Sequence, residues 1–259
     1  MLICPVRDCH LPLTREAQRV VCARSHSFDI ARSGYINLLG PQDRRSKNPG
    51  DNSDVVAARR RLHDLGVTRP LLEGVHHMLG LTPHDSVLEV GCGDGFFAGQ
   101  LAEQTGCRAT GIDISTAAID AAAKRYPKCQ WLVANADRFI PCEDASFNVV
   151  LSVAARRNPA EFHRVLCPDG RLLMGVPAPD DLEELRGTGR DRATQVIEEF
   201  RKTFSVTDQD RVTTHADLDE PAVRDVMLSI YRPLGDPAKA MRLTFSLDLL
   251  VFIRTQESN

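Results

Sequence analysis

No run of apolar residues in this chain approaches the roughly 18 that cross a bilayer, so a membrane-spanning role is not expected. The opening residues, MLICPVRDC, lack the apolar core of a secretory signal. The expected compartment is the cytoplasm, where disulfides are rare. Net charge is also lacking. The 32 Lys and Arg against 35 Asp and Glu leave −3, so the molecule as a whole does not seek polyanions. Internal repeats are absent, and the chain divides into three unlike stretches. Its 259 residues suffice for one large domain, or one medium domain with a small appendage. Hydrophobic residues at 42% and charged residues at 26% are ordinary globular usage, enough to bury a sizeable core.

Charge is nevertheless unevenly placed. Between Arg7 and Lys47 stand eight cations, among them Arg15, Arg19, Arg24, Arg32, Arg44 and Arg45, against Asp8, Glu16, Asp29 and Asp43. A basic front end on a mildly acidic body suits contact with nucleic acid, although a solvated loop surface gives the same pattern. Cysteine is uneven too. Cys4, Cys9 and Cys22, with His26, fall within the first 26 residues of a chain holding 8 cysteines. Four residues separate the first pair, where a zinc knuckle usually has two. From spacing alone, a metal site, a disulfide and chance all stay open. The isolated Cys107, Cys129, Cys142 and Cys167 read as small core or surface residues.

Residues 41–54, PQDRRSKNPGDNSD, are nearly all polar and read as a loop. Asp54 is expected to cap a helix running to Gly66, and a second helix spans about 68–79. Beyond it, short apolar runs alternate with helical patterns. SVLEVG (86–91), ATGIDI (109–114), CQWLVANA (129–136), FNVVLSVA (147–154) and RLLMGVP (171–177) read as strands. Helices at 94–105, 116–126 and 158–166 separate them, the last ended by the turn CPDG. Strands this apolar cannot face water, which predicts a parallel, doubly wound α/β sheet covered by helices. A helix-rich stretch at about 180–202, a strand and loop in FSVTDQDRVTTHA, a helix at 219–231 and a late strand at 243–255 complete the chain. That last strand is expected to lie antiparallel at or beside the sheet edge.

The strongest chemical signal is VLEVGCGDGFF (87–97), which directly follows a strand and opens a helix. Small residues there let backbone approach a ligand, and the helix N-terminus adds amide donors. The spacing Glu89-x-Gly91-x-Gly93-x-Gly95 differs from the G-x-G-x-x-G that seats a pyrophosphate. It suits a ligand with no phosphate at that point and a cationic amino group, such as S-adenosylmethionine. Asp94 sits within the loop. Asp113 ends the second strand 18 residues after Gly95, where a carboxylate can accept both ribose hydroxyls, with Ile114 beside it. Asp137, after the third strand, is placed to reach an adenine amine.

With Asp113 and Asp137 in this order, the loop resembles class I S-adenosylmethionine-dependent methyltransferases. The likeness narrows with the Cys-rich start, HSFDIARSGYINLL (26–39), SKNPGD (46–51), ARRRLHDLG (58–66), EFHRVLCPDG (161–170) and LTFSLDLLVF (243–252). Over nearly its whole length the chain resembles the bacterial 23S rRNA guanine-N1 methyltransferases. The resemblance implies a Rossmann-like, mostly parallel methyltransferase sheet with a small N-terminal zinc-binding lobe, acting on a hairpin of ribosomal RNA, and a homodimer. It divides the chain into a zinc-binding RNA-recognition lobe (1–40), a linker and helix (41–67) and a methyltransferase domain (68–259). In the family an aromatic residue contacts cofactor where Thr68 stands here, and a His does so where Asp181 stands. An aromatic–Ala–Pro turn is replaced by SVAARRNPAEF (152–162).

Behind an RNA methyltransferase, the first segment reads as a structural zinc site of Cys4, Cys9, Cys22 and His26, three thiolates and one imidazole. His10 is an alternative ligand, and free buried thiols are the plain alternative to a metal. A metal would also explain how so few apolar residues hold a shape. Arg44, Arg45 and Lys47 are expected to contact RNA phosphates, with Arg156 and Arg157 where the target base enters. The lobe is expected to choose RNA while the sheet, with a core of its own, binds cofactor. The catalytic base is not named by the sequence; Asp181 is a weak candidate. Two rival functions share the sheet: a methyltransferase for a small molecule, and a non-catalytic RNA-binding relative.

Overall fold

The computed structural model describes residues 1–40, 49–230 and 238–255. Arg44, Arg45 and Lys47 lie outside the described residues. The front of the chain forms three short antiparallel strands, β1 (Thr14–Glu16), β2 (Arg19–Val21) and β3 (Ser27–Asp29). β4 (Ile36–Asn37) then leaves this small sheet and pairs parallel with a strand of the main one, β7 (Gln130–Val133).

The helix α1 (Ser53–Asp64) follows, capped by Asn52, whose side chain accepts from the N–H groups of Asp54 and Val55. The expected cap, Asp54, lies two residues past the actual one, in the first turn, where its charge suits the helix dipole. α2 (Arg69–Leu79) has Pro70 in its first turn and ends on the left-handed Gly80. The alternating part then runs β5 (Ser86–Val90), α3 (Phe96–Thr105), β6 (Arg108–Asp113), α4 (Thr116–Arg125), β7, β8 (Phe147–Val153), α5 (Pro159–Val165) and β9 (Leu166–Pro177). Two short helices, α6 (Glu183–Arg186) and α7 (Arg192–Phe200), lead to β10 (Phe204–Leu218), α8 (Glu220–Ser229) and β11 (Met241–Arg254).

The main sheet has the order β10-β11-β9-β8-β5-β6-β7-β4. Its central strands are parallel, and β11 runs antiparallel to both β9 and β10. β11 thus sits beside the edge, as its apolar run suggested. Two expected features differ. FSVTDQDRVTTHA is one continuous strand, because β11 offers it a partner along almost its full length. The CPDG segment is not a turn closing a helix. It is a register irregularity within β9, between the pairs Phe147–Leu166 and Val149–Arg171.

Helices cover one face through Leu71, Val75 and Leu79 of α2, Phe97 and Leu101 of α3, and Ile119 and Ala122 of α4. The other face is covered by Phe162 of α5 and Val196 and Phe200 of α7, and also by the front lobe. The connection 134–146, from β7 to β8, contains no helix. In its place Leu2, Leu13, Val20 and Leu38 share one core with Ile112, Leu132 and Ile140. Leu2 bridges to Cys142, Ile3 N–H donates to the Pro141 carbonyl at 3.1 Å, and Arg138 donates to the Pro5 carbonyl at 3.0 Å. The expectation of a separate core for the sheet therefore meets a shared one. The physical reason is an apolar sheet face that no crossover helix shields. Among the described residues no helix is long and apolar enough to cross a membrane.

Candidate active site and metal centre

In the front lobe, the donor atoms of Cys4, Cys9, Cys22 and His26 all lie within 4.8 Å of one another. Cys9 Sγ is 3.7 Å from Cys22 Sγ, and His26 Nδ1 is 3.4 Å from both Cys4 Sγ and Cys22 Sγ. Thiolates about 2.3 Å from a tetrahedral zinc stand about 3.8 Å apart, so this spacing fits the ion. The wide first gap is absorbed by a left-handed Asp8, with the Cys9 N–H on the Val6 carbonyl at 3.0 Å. Arg24 holds the Asp8 carbonyl at 2.7 Å. Burial pushes the Cys4 thiol up to about 12. At Cys22 burial acts the same way, but backbone hydrogen bonds at His26 and Arg24 outweigh it and draw the thiol down to about 7. Zinc bound here would replace those protons. His10, the alternative ligand, is turned away and stacks on Phe139 at 4.5 Å.

At the carboxyl end of the sheet, Gly91, Gly93 and Gly95 all have positive φ (72°, 54° and 74°), which an L side chain rarely adopts. They serve different neighbours. A Cβ on Gly95 would stand 2.3 Å from the ring of Trp131, and one on Gly91 would stand 2.4 Å from Ala155 Cβ. Gly93 alone of the three meets no packed apolar atom; its open side faces Arg59. Gly111 likewise makes room for the Trp131 ring beneath the loop. The glycine pattern thus serves a buried indole as much as a ligand.

The loop is braced by carboxylates. Glu89 is 2% exposed, and the Ala98 N–H at the start of α3 donates to its Oε2 at 2.8 Å. Burial pushes its carboxyl up to about 8. Asp113 accepts from Gly93 N–H at 2.9 Å and Ser115 N–H at 2.8 Å, one on each oxygen. A carboxylate oxygen accepts two hydrogen bonds, so each keeps a lone pair for a ribose hydroxyl. Asp94 turns the other way, toward α1. Its Oδ1 is 3.6 Å from His63 Nε2. Its Oδ2 faces Arg60 Nε at 3.8 Å, and both atoms are buried without a hydrogen-bond partner among the described residues. Burial, with Arg59 and Arg125 beside it, pushes His63 down to about 3, so it is neutral. Its Nδ1 is 2.7 Å from Thr68 Oγ1, which engages the residue that stands in the family's aromatic position.

Residues 49–66, read from sequence as loop and helix, form a wall of this site. Ser115 donates to the Asp51 carbonyl at 2.6 Å, and Ile114 lies under Gly50. On the opposite side, Asp137 pairs with Arg156 at 3.1 Å, and Asn158 donates to the Asp137 carbonyl at 3.0 Å. Arg157 reaches Glu199 of α7 at 3.0 Å. Asp181 is tied into the fold: its Oδ1 accepts from Ser246 N–H at 3.0 Å, and its Oδ2 pairs with Arg186. Sequence reasoning did not single out Asp51, Arg59, Trp131 or Ala155. Only the bareness of four nearby glycines hinted that something large lay close.

A family of zinc ribbons described as RlmA, N-terminal matches residues 2–47, and one described as methyltransferase domain matches residues 87–170. A 23S rRNA (guanine(748)-N(1))-methyltransferase of Streptomyces fradiae is 33% identical over 237 residues, covering 87% of this chain and 83% of that one. The chain belongs to the 23S rRNA guanine-N1 methyltransferase family. A demethylmenaquinone methyltransferase of Tropheryma whipplei is 37% identical, but over 37% of this chain and 40% of its own. Among solved structures, a methyltransferase of Thiobacillus denitrificans in complex with S-adenosylhomocysteine superposes with a TM-score of 0.50 at 16% identity, covering 71% of this chain and 90% of that one. A TehB-like methyltransferase of Corynebacterium glutamicum gives 0.50 at 20%, covering 78% and 98%. These two share the fold of the methyltransferase sheet. In this chain the zinc ribbon is joined to that sheet through β4.

Proposed function

We propose that this protein methylates N1 of a guanine in a hairpin of large-subunit ribosomal RNA. The observation that carries the reading is the zinc lobe built onto the methyltransferase sheet. A sheet acting on a small molecule needs no such lobe, and here a zinc ribbon of the RlmA kind precedes a sheet whose chain is 33% identical to an rRNA-modifying relative. The basic lobe residues Arg7, Arg15, Arg19, Arg24 and Arg32 supply phosphate contacts. β4 runs parallel to β7, so the chain leaves the lobe at the carboxyl end of the sheet, the end that also carries the glycine loop. RNA held by the lobe is thereby brought to the end where Asp113 and Gly93 lie. A ribosomal substrate also places the enzyme in the cytoplasm, and the family resemblance adds a homodimer, readable by light scattering.

S-adenosylmethionine, when bound, supplies an electrophilic methyl on a sulfonium. The chain's own residues chiefly position the reactants. Asp113 accepts the ribose hydroxyls, and the backbone at Gly93 lies against the amino-acid end. Asp137 is placed to accept from the adenine amine, and Arg156, paired with it, lines the entry for the base. Guanine N1 carries a proton at neutral pH, which must leave during the transfer. A base taken from paired RNA must first be extruded, at about a few kcal/mol. Asp181 already accepts from Ser246 and Arg186, which suits it to holding the loop after β9 in place more than to taking that proton.

The test is mass mapping of methylated guanines in large-subunit ribosomal RNA from cells with and without the gene. Loss of one N1-methylguanine, restored by the purified enzyme in vitro, is the expected result. Unchanged ribosomal RNA would overturn the reading. Cofactor turnover on a small molecule would then favour the first rival function, and RNA binding without cofactor binding the second.

A further inference from the structure

Three guanidinium groups stand around the glycine loop, and two of them turn away from its central glycine. Arg125 of α4 pairs with Asp64 at 2.8 Å. Arg60 donates to the Ala121 carbonyl at 3.4 Å and faces Asp94. Arg59 differs. Its Nη1 is 2.8 Å from Asp51 Oδ2, and it lies 3.2 Å from where a Cβ on Gly93 would stand. No other group among the described residues comes within 4 Å of that point, apart from Gly93's own chain neighbours. The open side of the central glycine therefore looks onto a guanidinium.

Asp51 is not placed there by chance of a loose loop. Gly50, with φ of +81°, packs so closely that a Cβ would stand 2.8 Å from Ser115 Cβ. Ser115 Oγ holds the Asp51 carbonyl at 2.6 Å. The pair itself is about a third exposed on each side, and a pair so placed contributes only about 0–1 kcal/mol to stability. Its position has more to do with charge. Asp94, Asp113 and Asp51 crowd one loop, and burial raises the first two carboxyls above their ordinary values. Any further anion entering that field is repelled unless a cation faces it. Of the three arginines, Arg59 is the one aimed at the glycine opening.

We propose that Arg59 binds the carboxylate of the cofactor's amino-acid portion, and that Asp51 positions its guanidinium over Gly93. This rests on the reading that the glycine loop binds S-adenosylmethionine. Nη1 carries two N–H groups, so it can hold Asp51 with one and turn the other, with the rest of the planar fork, to a second carboxylate. Gly93 must then be bare, because a side chain there would stand between the two.

The experiment compares S-adenosylmethionine with its decarboxylated form, which lacks only the carboxylate, by calorimetry on the full chain. Arg59→Gln is expected to weaken the carboxylated ligand about tenfold and to change the decarboxylated one less than twofold. Arg59→Lys should restore part of the difference, since it keeps the charge and loses the fork. Asp51→Asn should weaken the carboxylated ligand about threefold and spare the other. If Arg59→Gln weakens both ligands equally, or neither, the proposal is overturned. If the parent protein binds neither ligand, the glycine-loop reading itself fails, and that outcome is visible before any variant is made.

Discussion

In the front lobe, β1, β2 and β3 are three residues each, and of those nine residues only Val20 is buried. In the main sheet, β5 buries four of its five residues, and β8 five of its seven. The sheet is specified by continuous apolar strands, a property of residue order that survives small changes. The lobe has no such supply. Its shape comes from four converging donors and from the sheet face beneath it, where Leu2, Leu13 and Leu38 settle beside Ile112 and Leu132. The two regions also recognise differently. The lobe offers side chains to an ion; the glycine loop offers backbone and withholds side chains. A region poor in apolar residues can thus be well ordered, provided that a metal and a neighbouring domain each supply part of what a core would.

The comparison breaks most visibly at the metal. Cys22→Ser removes one of four ligands and is expected to lower stability by about 4 kcal/mol. Because the lobe shares the sheet's core, amide hydrogen exchange should quicken in β7 as well as in β1–β3. Loss of protection confined to the lobe would show the two regions to be independent. Zinc content by atomic absorption should fall in parallel.

Glu89 sharpens the sheet side of the comparison through pH. Its carboxyl is held up at about 8, against an ordinary 4.5. Below pH 4.5 folded and unfolded chains both keep the proton, and no stability is lost. Between 4.5 and 8 the unfolded chain gives up a proton that the folded chain retains, so stability falls as pH rises. The expected fall is on the order of 4 kcal/mol across that window. Denaturant titrations at several pH values should show it in the parent protein and a flatter profile in Glu89→Gln. A flat profile in both would mean that Glu89 stays ionised in the fold.

The glycines separate packing from binding. Gly95→Ala drives a Cβ into the Trp131 ring at a positive φ, and should cost about 3 kcal/mol of stability. Gly93→Ala meets only the end of Arg59, so it should cost about 1 kcal/mol of stability and about tenfold in S-adenosylmethionine affinity. Equal losses of stability at the two positions would erase the distinction. The smallest expected effect is at Arg156, whose pair with Asp137 is exposed. Arg156→Ala should change stability by less than about 0.5 kcal/mol. It should lower the salt dependence of RNA binding by about one phosphate contact, read from affinities at several salt concentrations.

Much of this could be read along the chain. The alternation of apolar runs and helical patterns placed the sheet, since strand burial has a local signature. The ligand set of Cys4, Cys9, Cys22 and His26 became legible through the family resemblance, since spacing alone left it open, and Asp113 from its place at the end of a strand. Other things were illegible because their cause lies far away in sequence. Nothing near Gly95 announces that Trp131 needs its missing Cβ. Nothing near Asp94 says that it turns to α1. The residues from Asp51 to Arg59 read as linker and helix because their partners, Ser115 and Gly93, are brought to them only by packing. The sequence by itself determined the element types, the donors of the metal site and the position of the glycine loop, because periodicity and chemistry are carried by short segments. Only the tertiary structure decided which glycines face a ligand, which arginine faces the glycines, and that the lobe shields an open face of the sheet, because each depends on which distant surfaces must exclude water together.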